Sequence, residues 1–297
     1  VSHRVVSVSG PAWVRNADRH VVIERQGAEI GRVPLEDMAA LLLDGPDLAV
    51  THTLLGACAD AGVAVVTADE RHLPNGVLLS LHGHSLHTAV FRQQLECPRP
   101  AIKRAWQVTV RAKIEAQALV LARRGADPAP LRQLTSFVRS GDPDNVEATA
   151  AARYFALAFG PDFVRERETT GLNAMLNYGY AVLRSAVARA IVGAGLHPAL
   201  GIHHRNQYNP LCLADDAMEP LRPAVDWIVL RLHEAHPDLE DLTPPIKRQL
   251  VEVLGTFVEW NGQRLSLFPG LERYAASLRR ALCEGEGLEV PRPVLPP

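Results

Sequence analysis

The stretch Ile102-Lys-Arg-Ala-Trp-Gln-Val-Thr-Val-Arg-Ala-Lys-Ile-Glu-Ala-Gln-Ala-Leu-Val-Leu-Ala-Arg-Arg124 divides the chain into two kinds of sequence. Its apolar positions recur with a period near 3.6, which predicts a long basic amphipathic helix ended by Gly125-Ala-Asp-Pro128. Upstream the pattern differs. Short runs rich in Val and Ile at 4–9, 12–16, 20–25 and 29–33 are separated by polar, Gly or Pro breaks, as hairpins require. Helices are expected at 34–43 and 51–61, the second capped by Gly62. Further strands are expected at 63–67 and 77–81. Downstream, helical spacing continues at 145–159, 171–192, 216–235 and 244–260. The expected fold is α+β: a small β-rich N-terminal domain (1–88), suited to dimerisation, and a larger all-helical domain (89–284) of about six helices. A flexible Pro-rich tail (285–297) completes the chain, because it holds four prolines and no periodic apolar face.

The composition is that of an ordinary globular protein, with 47% hydrophobic and 22% charged residues among 297 and a mean hydropathy of -0.01. This excludes a wholly disordered chain and a coiled-coil rod. No apolar run approaches the ~18 residues of a membrane-spanning helix. The segment VSHRVVSVSGPAWVRNADRH has charges throughout and no apolar stretch of the secretory kind, so a cytoplasmic location is expected. Cys58, Cys97, Cys212 and Cys283 are scattered, which supports neither a disulfide framework nor a structural zinc site.

The net charge of -2 hides a segregation. Residues 91–140 hold ten Lys and Arg against three acids, a local excess of seven positive charges. Such a distribution suits an anionic partner bound on one face, although a solvated helix surface reads the same way.

Three segments concentrate ionisable groups. Gly141-Asp-Pro-Asp-Asn-Val-Glu147 opens a helix, and Asp144 with Glu147 would form a capping box. Gly201-Ile-His-His-Arg-Asn-Gln-Tyr-Asn-Pro-Leu-Cys-Leu-Ala-Asp-Asp-Ala-Met-Glu-Pro-Leu-Arg-Pro223 places a His pair in a loop, followed by Asp215, Asp216 and Glu219 on one side of a helix start. Acids at a helix N-terminus favour the dipole. Acids beside a loop imidazole also have the composition of a Mg²⁺ or Mn²⁺ site. His82, His84 and His87 form an HxHxxH arrangement without an acidic partner, so zinc ligation and unremarkable polar histidines both remain open there.

Taken in order, the 141–155 segment, Leu172-Asn-Ala-Met-Leu-Asn-Tyr-Gly-Tyr-Ala-Val-Leu-Arg184 and the 201–223 segment closely resemble the CRISPR-associated integrase, the universal adaptation nuclease of CRISPR systems. The Gly-Ile-His-His and Asp-Asp-x-Met-Glu-Pro-Leu-Arg-Pro wording looks most like the branch found with type II loci. The resemblance implies a catalytic metal site of Glu147, His204 and Glu219 holding Mg²⁺ or Mn²⁺. Asp215 and Asp216 would touch the ion or its ligands. The implied reaction inserts a short foreign DNA fragment into the CRISPR array, a 3′-hydroxyl attacking a phosphodiester. An endonuclease acting on branched or other DNA or RNA without integration would use the same ligands. Tyr178, Tyr180 and Tyr208 are expected in core or positioning roles, not as covalent catalysts. Implied partners are the protospacer fragment, the repeat and leader DNA, a second copy of the chain, and a small second adaptation protein in a heterohexamer; no membrane is implied. Arg139, Lys103, Arg104, Arg111, Lys113 and Arg222 are the candidate phosphate contacts.

Overall fold

The computed structural model describes residues 4–45, 47–69, 74–80, 84–166, 170–237 and 241–296, and the chain divides into two compact units, Val1–His87 and Thr88–Pro297. In the first, strands β1 (Arg4–Ser9), β2 (Ala12–Ala17), β3 (His20–Arg25), β4 (Ala28–Pro34), β5 (Met38–Asp44), β6 (Leu48–Val50), β7 (Ala64–Ala68) and β8 (Pro74–Leu78) accompany helix α1 (His52–Asp60). They form two sheets, ordered β1-β5-β7-β8 and β4-β3-β2-β6. A core of Val8, Val14, Val21, Leu41, Leu54, Cys58 and Val65 lies within this unit.

The helix expected at 34–43 is instead the strand β5. Its seven residues are all buried, and it runs parallel to both β1 and β7. A strand covered on both faces reads as a continuous apolar run, and periodicity does not separate that from a buried helix.

The second unit contains α2 (His87–Leu95), which begins at the unit boundary, then α3 (Arg99–Arg123), α4 (Ala129–Arg132), α5 (Val146–Phe159), α6 (Gly171–Gly193), α7 (Cys212–Met218), α8 (Arg222–Ala235), α9 (Pro244–Val251) and α10 (Leu267–Cys283). Helix α3 packs against α5, α8 and α10, and α6 against α7, α8, α9 and α10. The close approach of α6 to α8 needs Gly179, where a Cβ would stand 2.4 Å from Val225 Cγ1. No helix among the described residues is long and apolar enough to cross a membrane.

Two of the helices expected downstream differ from the structure. The helix over 216–235 is broken: α7 gives way to a short 3₁₀ turn, Glu219–Leu221, before α8 begins. Pro220 and Pro223 lack the amide hydrogens that an unbroken helix would use. The segment 244–260 is helical only to Val251, then passes through a 3₁₀ turn into β9 (Phe257–Trp260), where burial alternates with the strand period. Helix α10, which the sequence reading did not single out, follows β10 (Gln263–Ser266).

The Pro-rich tail is also ordered. Strand β11 (Arg292–Val294) pairs antiparallel with β9 in a sheet ordered β10-β9-β11, so the helical unit carries a small sheet of its own. Leu295 is buried, and Trp227 Nε1 donates to the Pro296 carbonyl at 2.8 Å. Proline suits an edge strand, which asks for fewer amide donors. Low periodicity there meant a short extended strand rather than disorder.

Candidate functional site

The site begins with a loop held in the left-handed backbone region at Gly141, Asp142 and Asn145, with φ of 80°, 48° and 51°. That loop turns the chain sharply into α5. Asp142, not Asp144, caps the helix: its two carboxylate oxygens each accept a backbone hydrogen bond at 3.0 Å, from Val146 and from Glu147. Asp144 is turned outward and takes both hydrogen bonds of the Arg139 guanidinium at 2.8 Å. From α3, Gln107 and Arg111 donate to the Val138 carbonyl at 2.8 and 2.9 Å, which ties the loop to that helix.

Glu147 is thereby set in the first turn of α5, facing α3. Glu219 faces the same way from the 3₁₀ turn after α7 and is buried. Between them stands Lys113, in the middle of α3, whose Nζ donates to Glu147 Oε1 and to Glu219 Oε2. Arg222 Nε lies 3.0 Å from the other Glu219 oxygen, and its guanidinium covers the Tyr180 ring at 4.8 Å. Burial pushes the Glu219 carboxyl up, but Arg222 and Lys113 outweigh it and hold the group below the ordinary glutamate value. Burial likewise pulls Lys113 down, and the attraction of Glu219 and Glu147 more than restores it. Both remain charged.

His204 comes from the 201–211 loop and is held by Asp216, a fully buried residue of α7. One Asp216 carboxylate accepts the amides of His203, at 2.8 Å, and His204, at 3.3 Å, and contacts His204 Nδ1 at 2.5 Å. The hydrogen bond to Asp216 raises His204 above its ordinary value against the opposing effect of burial. With Nδ1 turned to Asp216, Nε2 is the nitrogen left to a ligand, as in carboxylate–histidine–metal arrangements. Gly201 makes the turn possible: a Cβ there would stand 2.4 Å from the His204 carbonyl oxygen and 2.8 Å from Asp216 Oδ2. Trp106 of α3 stacks on His203, with ring centres 4.2 Å apart and planes within 5°.

The structure therefore brings Glu147 and Glu219 to one point and puts His204 within electrostatic reach of Glu219. Among the described residues no three His, Cys, Asp or Glu side chains are grouped closely enough to hold one metal ion. The two glutamates do suit a hard cation, because an oxygen of each already converges on a single positive centre. Asp215 is directed elsewhere, bonded by Asn209 Nδ2 at 2.6 Å with Arg184 at 3.8 Å.

Of the candidate phosphate contacts, Lys103, Arg104, Arg111 and Arg139 are exposed, though Arg111 and Arg139 are engaged as described. Lys113 is corrected: it is buried between two acids, not displayed on the basic face. Arg222 pairs with Glu219. Tyr178 and Tyr180 are buried, whereas Tyr208 is exposed. His84 Nδ1 accepts the Leu86 amide at 3.1 Å, and His82 lies outside the described residues.

Sequence reasoning missed Asp226, a buried acid on the inner side of α8. Tyr154 donates to it at 2.9 Å and Tyr180 donates to its other oxygen. Burial pushes its carboxyl up to about 6, against those two hydrogen bonds. Its spacing from Arg222, one turn earlier on α8, was the available signal.

The family model of CRISPR associated protein Cas1 matches residues 6–237. The CRISPR-associated endonuclease Cas1 of Neisseria meningitidis serogroup C (strain 8013) is 38% identical over 281 residues, covering 94% of this chain and 92% of the relative. Among solved structures, a casposase bound to integration product is similar with a TM-score of 0.78 at 20% identity, covering 97% of this chain and 92% of that one. A Cas6-RT-Cas1–Cas2 complex is similar with a TM-score of 0.74 at 17% identity, over 96% of this chain and 35% of that one.

Proposed function

The chain belongs to the CRISPR-associated protein Cas1 family, and on that premise we propose that it is a metal-dependent DNA integrase of CRISPR adaptation. The observation that carries this reading is the convergence of Glu147 and Glu219 on one cation, with His204 clamped beside them. Glu147, Glu219 and His204 Nε2 would hold Mg²⁺ or Mn²⁺. A bound divalent ion lowers the pKa of an attacking hydroxyl and stabilises charge on the phosphoryl and leaving oxygens.

The chain's own contribution is positioning. Asp216 keeps the His204 ring oriented with Nδ1 engaged, and Asp142 fixes the turn that carries Glu147. In the reaction, a fragment's 3′-oxygen forms a new bond to phosphorus, the recipient strand's P–O3′ bond breaks, the attacking hydroxyl's proton leaves to solvent, and the released O3′ takes a proton from solvent. Burial of Glu219 and Lys113 supports a water-poor surrounding in which fixed charges act strongly. Lys103 and Arg104, exposed on α3, would contact the DNA backbone, with Arg139 exchanging Asp144 for phosphate. The N-terminal β-rich unit would serve a homodimer. Likeness to a chain from a complex that contains Cas2 favours a small second adaptation protein as partner.

Strand transfer tests the proposal. A labelled duplex with free 3′-hydroxyls, a leader–repeat plasmid, the small partner and Mn²⁺ or Mg²⁺ should yield fragment joined at the repeat border. The product should vanish with blocked 3′ ends, with Glu147→Ala and with His204→Ala. Cleavage without joining, with partner and repeat present, would identify an endonuclease instead.

A further inference from the structure

We propose that Lys113 is a resident cation of this site: with no divalent ion bound it holds Glu147 and Glu219 together, and a bound ion drives its ammonium group into an adjoining cavity beside Asp226 and Gln117. The inference rests on the metal-dependent reading above.

Three observations carry it. Lys113 Nζ stands on one oxygen from each glutamate, so an ammonium and a divalent ion would compete for the same oxygens and repel each other at contact. A buried ammonium also needs a partner wherever it goes. The second observation supplies one. Lys113 borders a cavity of about 60 Å³, walled also by Gln117, Arg165, Tyr180, Arg222 and Asp226. That volume exceeds the roughly 30 Å³ share of one water molecule. The third is Gln117, one turn further along α3 and 2% exposed, whose side-chain oxygen is buried with no hydrogen-bond partner among the described residues. A buried acceptor of this kind is costly unless something donates to it. The Lys113 ammonium, moved into the cavity, would donate to Gln117 Oε1 and to the Asp226 carboxylate.

The same charges explain why the lysine rests on the glutamates when no ion competes. There it meets two carboxylates, whereas the cavity offers one, flanked by Arg165 and Arg222. Only a second cation at the glutamates reverses the preference. Metal uptake thereby becomes an exchange, in which one positive charge leaves as two arrive, and the glutamates are never left facing each other unneutralised.

Mn²⁺ binding by calorimetry tests this on the wild type, Lys113→Met, Asp226→Asn, the double variant and Glu147→Gln. Lys113→Met should bind Mn²⁺ about tenfold or more tightly, because the competing charge is gone. Asp226→Asn should bind about tenfold more weakly, because the displaced lysine loses its counter-charge. In the Lys113→Met background Asp226→Asn should have no further effect. A bystander charge would give additive changes, and that result overturns the proposal, as does Lys113→Met binding no more tightly. A crystal of the wild type soaked in Mn²⁺ gives a reading that no folding defect disturbs: Nζ should lie on Asp226 and Gln117, and Nζ still on both glutamates beside bound Mn²⁺ would refute the exchange. If the wild type takes up no Mn²⁺ that Glu147→Gln abolishes, the metal reading itself fails.

Discussion

Glu219 and Asp226 stand close together along one segment, both buried, both acted on by Arg222, and they behave oppositely. Glu219 faces two cations and is held below its ordinary value. Asp226 faces two phenol donors and is pushed up to about 6. Burial acts on both in the same direction, so the difference lies in the partners. A hydrogen bond from a neutral hydroxyl offsets part of the desolvation cost of a carboxylate, while a cation in contact outweighs it. The first region is therefore built to stay charged and to gather positive charge. The second holds an acid poised near neutrality.

The largest expected effect strikes the charged region. Glu219→Ala removes a partner of buried Lys113 and half-buried Arg222 and should cost about 3–5 kcal/mol in denaturant unfolding, whereas Glu219→Gln, which keeps the shape, should cost less. If the two variants cost the same, charge is not what distinguishes this region.

Asp216→Asn comes next. It keeps the side chain's size but weakens the clamp on His204, and roughly 10- to 100-fold weaker Mn²⁺ binding is expected. Unchanged affinity would mean that the loop backbone alone orients the imidazole.

Asp226 predicts a pH dependence that Glu219 does not share. Between its unfolded value of 3.8 and about 6 the folded chain binds the extra proton, so stability rises as pH falls through that window. From pH 7 to pH 5 the gain should be roughly 1 kcal/mol, read as the difference between wild type and Asp226→Asn. A gain of the opposite sign would place Asp226 with Glu219.

The smallest effect belongs to the surface. The exposed Arg139–Asp144 pair should contribute under about 1 kcal/mol, so Arg139→Ala should barely move the melting temperature. The same substitution should flatten the salt dependence of DNA binding if Arg139 contacts phosphate.

How far the site was legible follows the same division. Glu147, His204 and Glu219 could be proposed from sequence because their neighbours form ordered wording over three segments, and the local capping signal drew attention to the 141–147 turn. The wrong acid was expected to cap it, since Asp142 reaches forward only because the backbone enters the left-handed region at three positions. Lys113 was misread because its helix is basic on the exposed side, and a one-dimensional charge count treats every lysine on it alike. Gln117 and Trp106 carried no pattern of their own, and Asp226 offered only its spacing from Arg222.

By itself the sequence determined the change from strand to helix period near residue 100, the span of most elements, and the residues competent to hold a cation, because periodicity and side-chain chemistry are local properties. Tertiary structure alone decided that β5 is a strand, that the Pro-rich tail closes a sheet, and that a lysine from α3 meets acids from α5 and from the turn after α7. Those outcomes depend on which faces are covered and which charges are brought together out of water, and neither is set until distant segments pack.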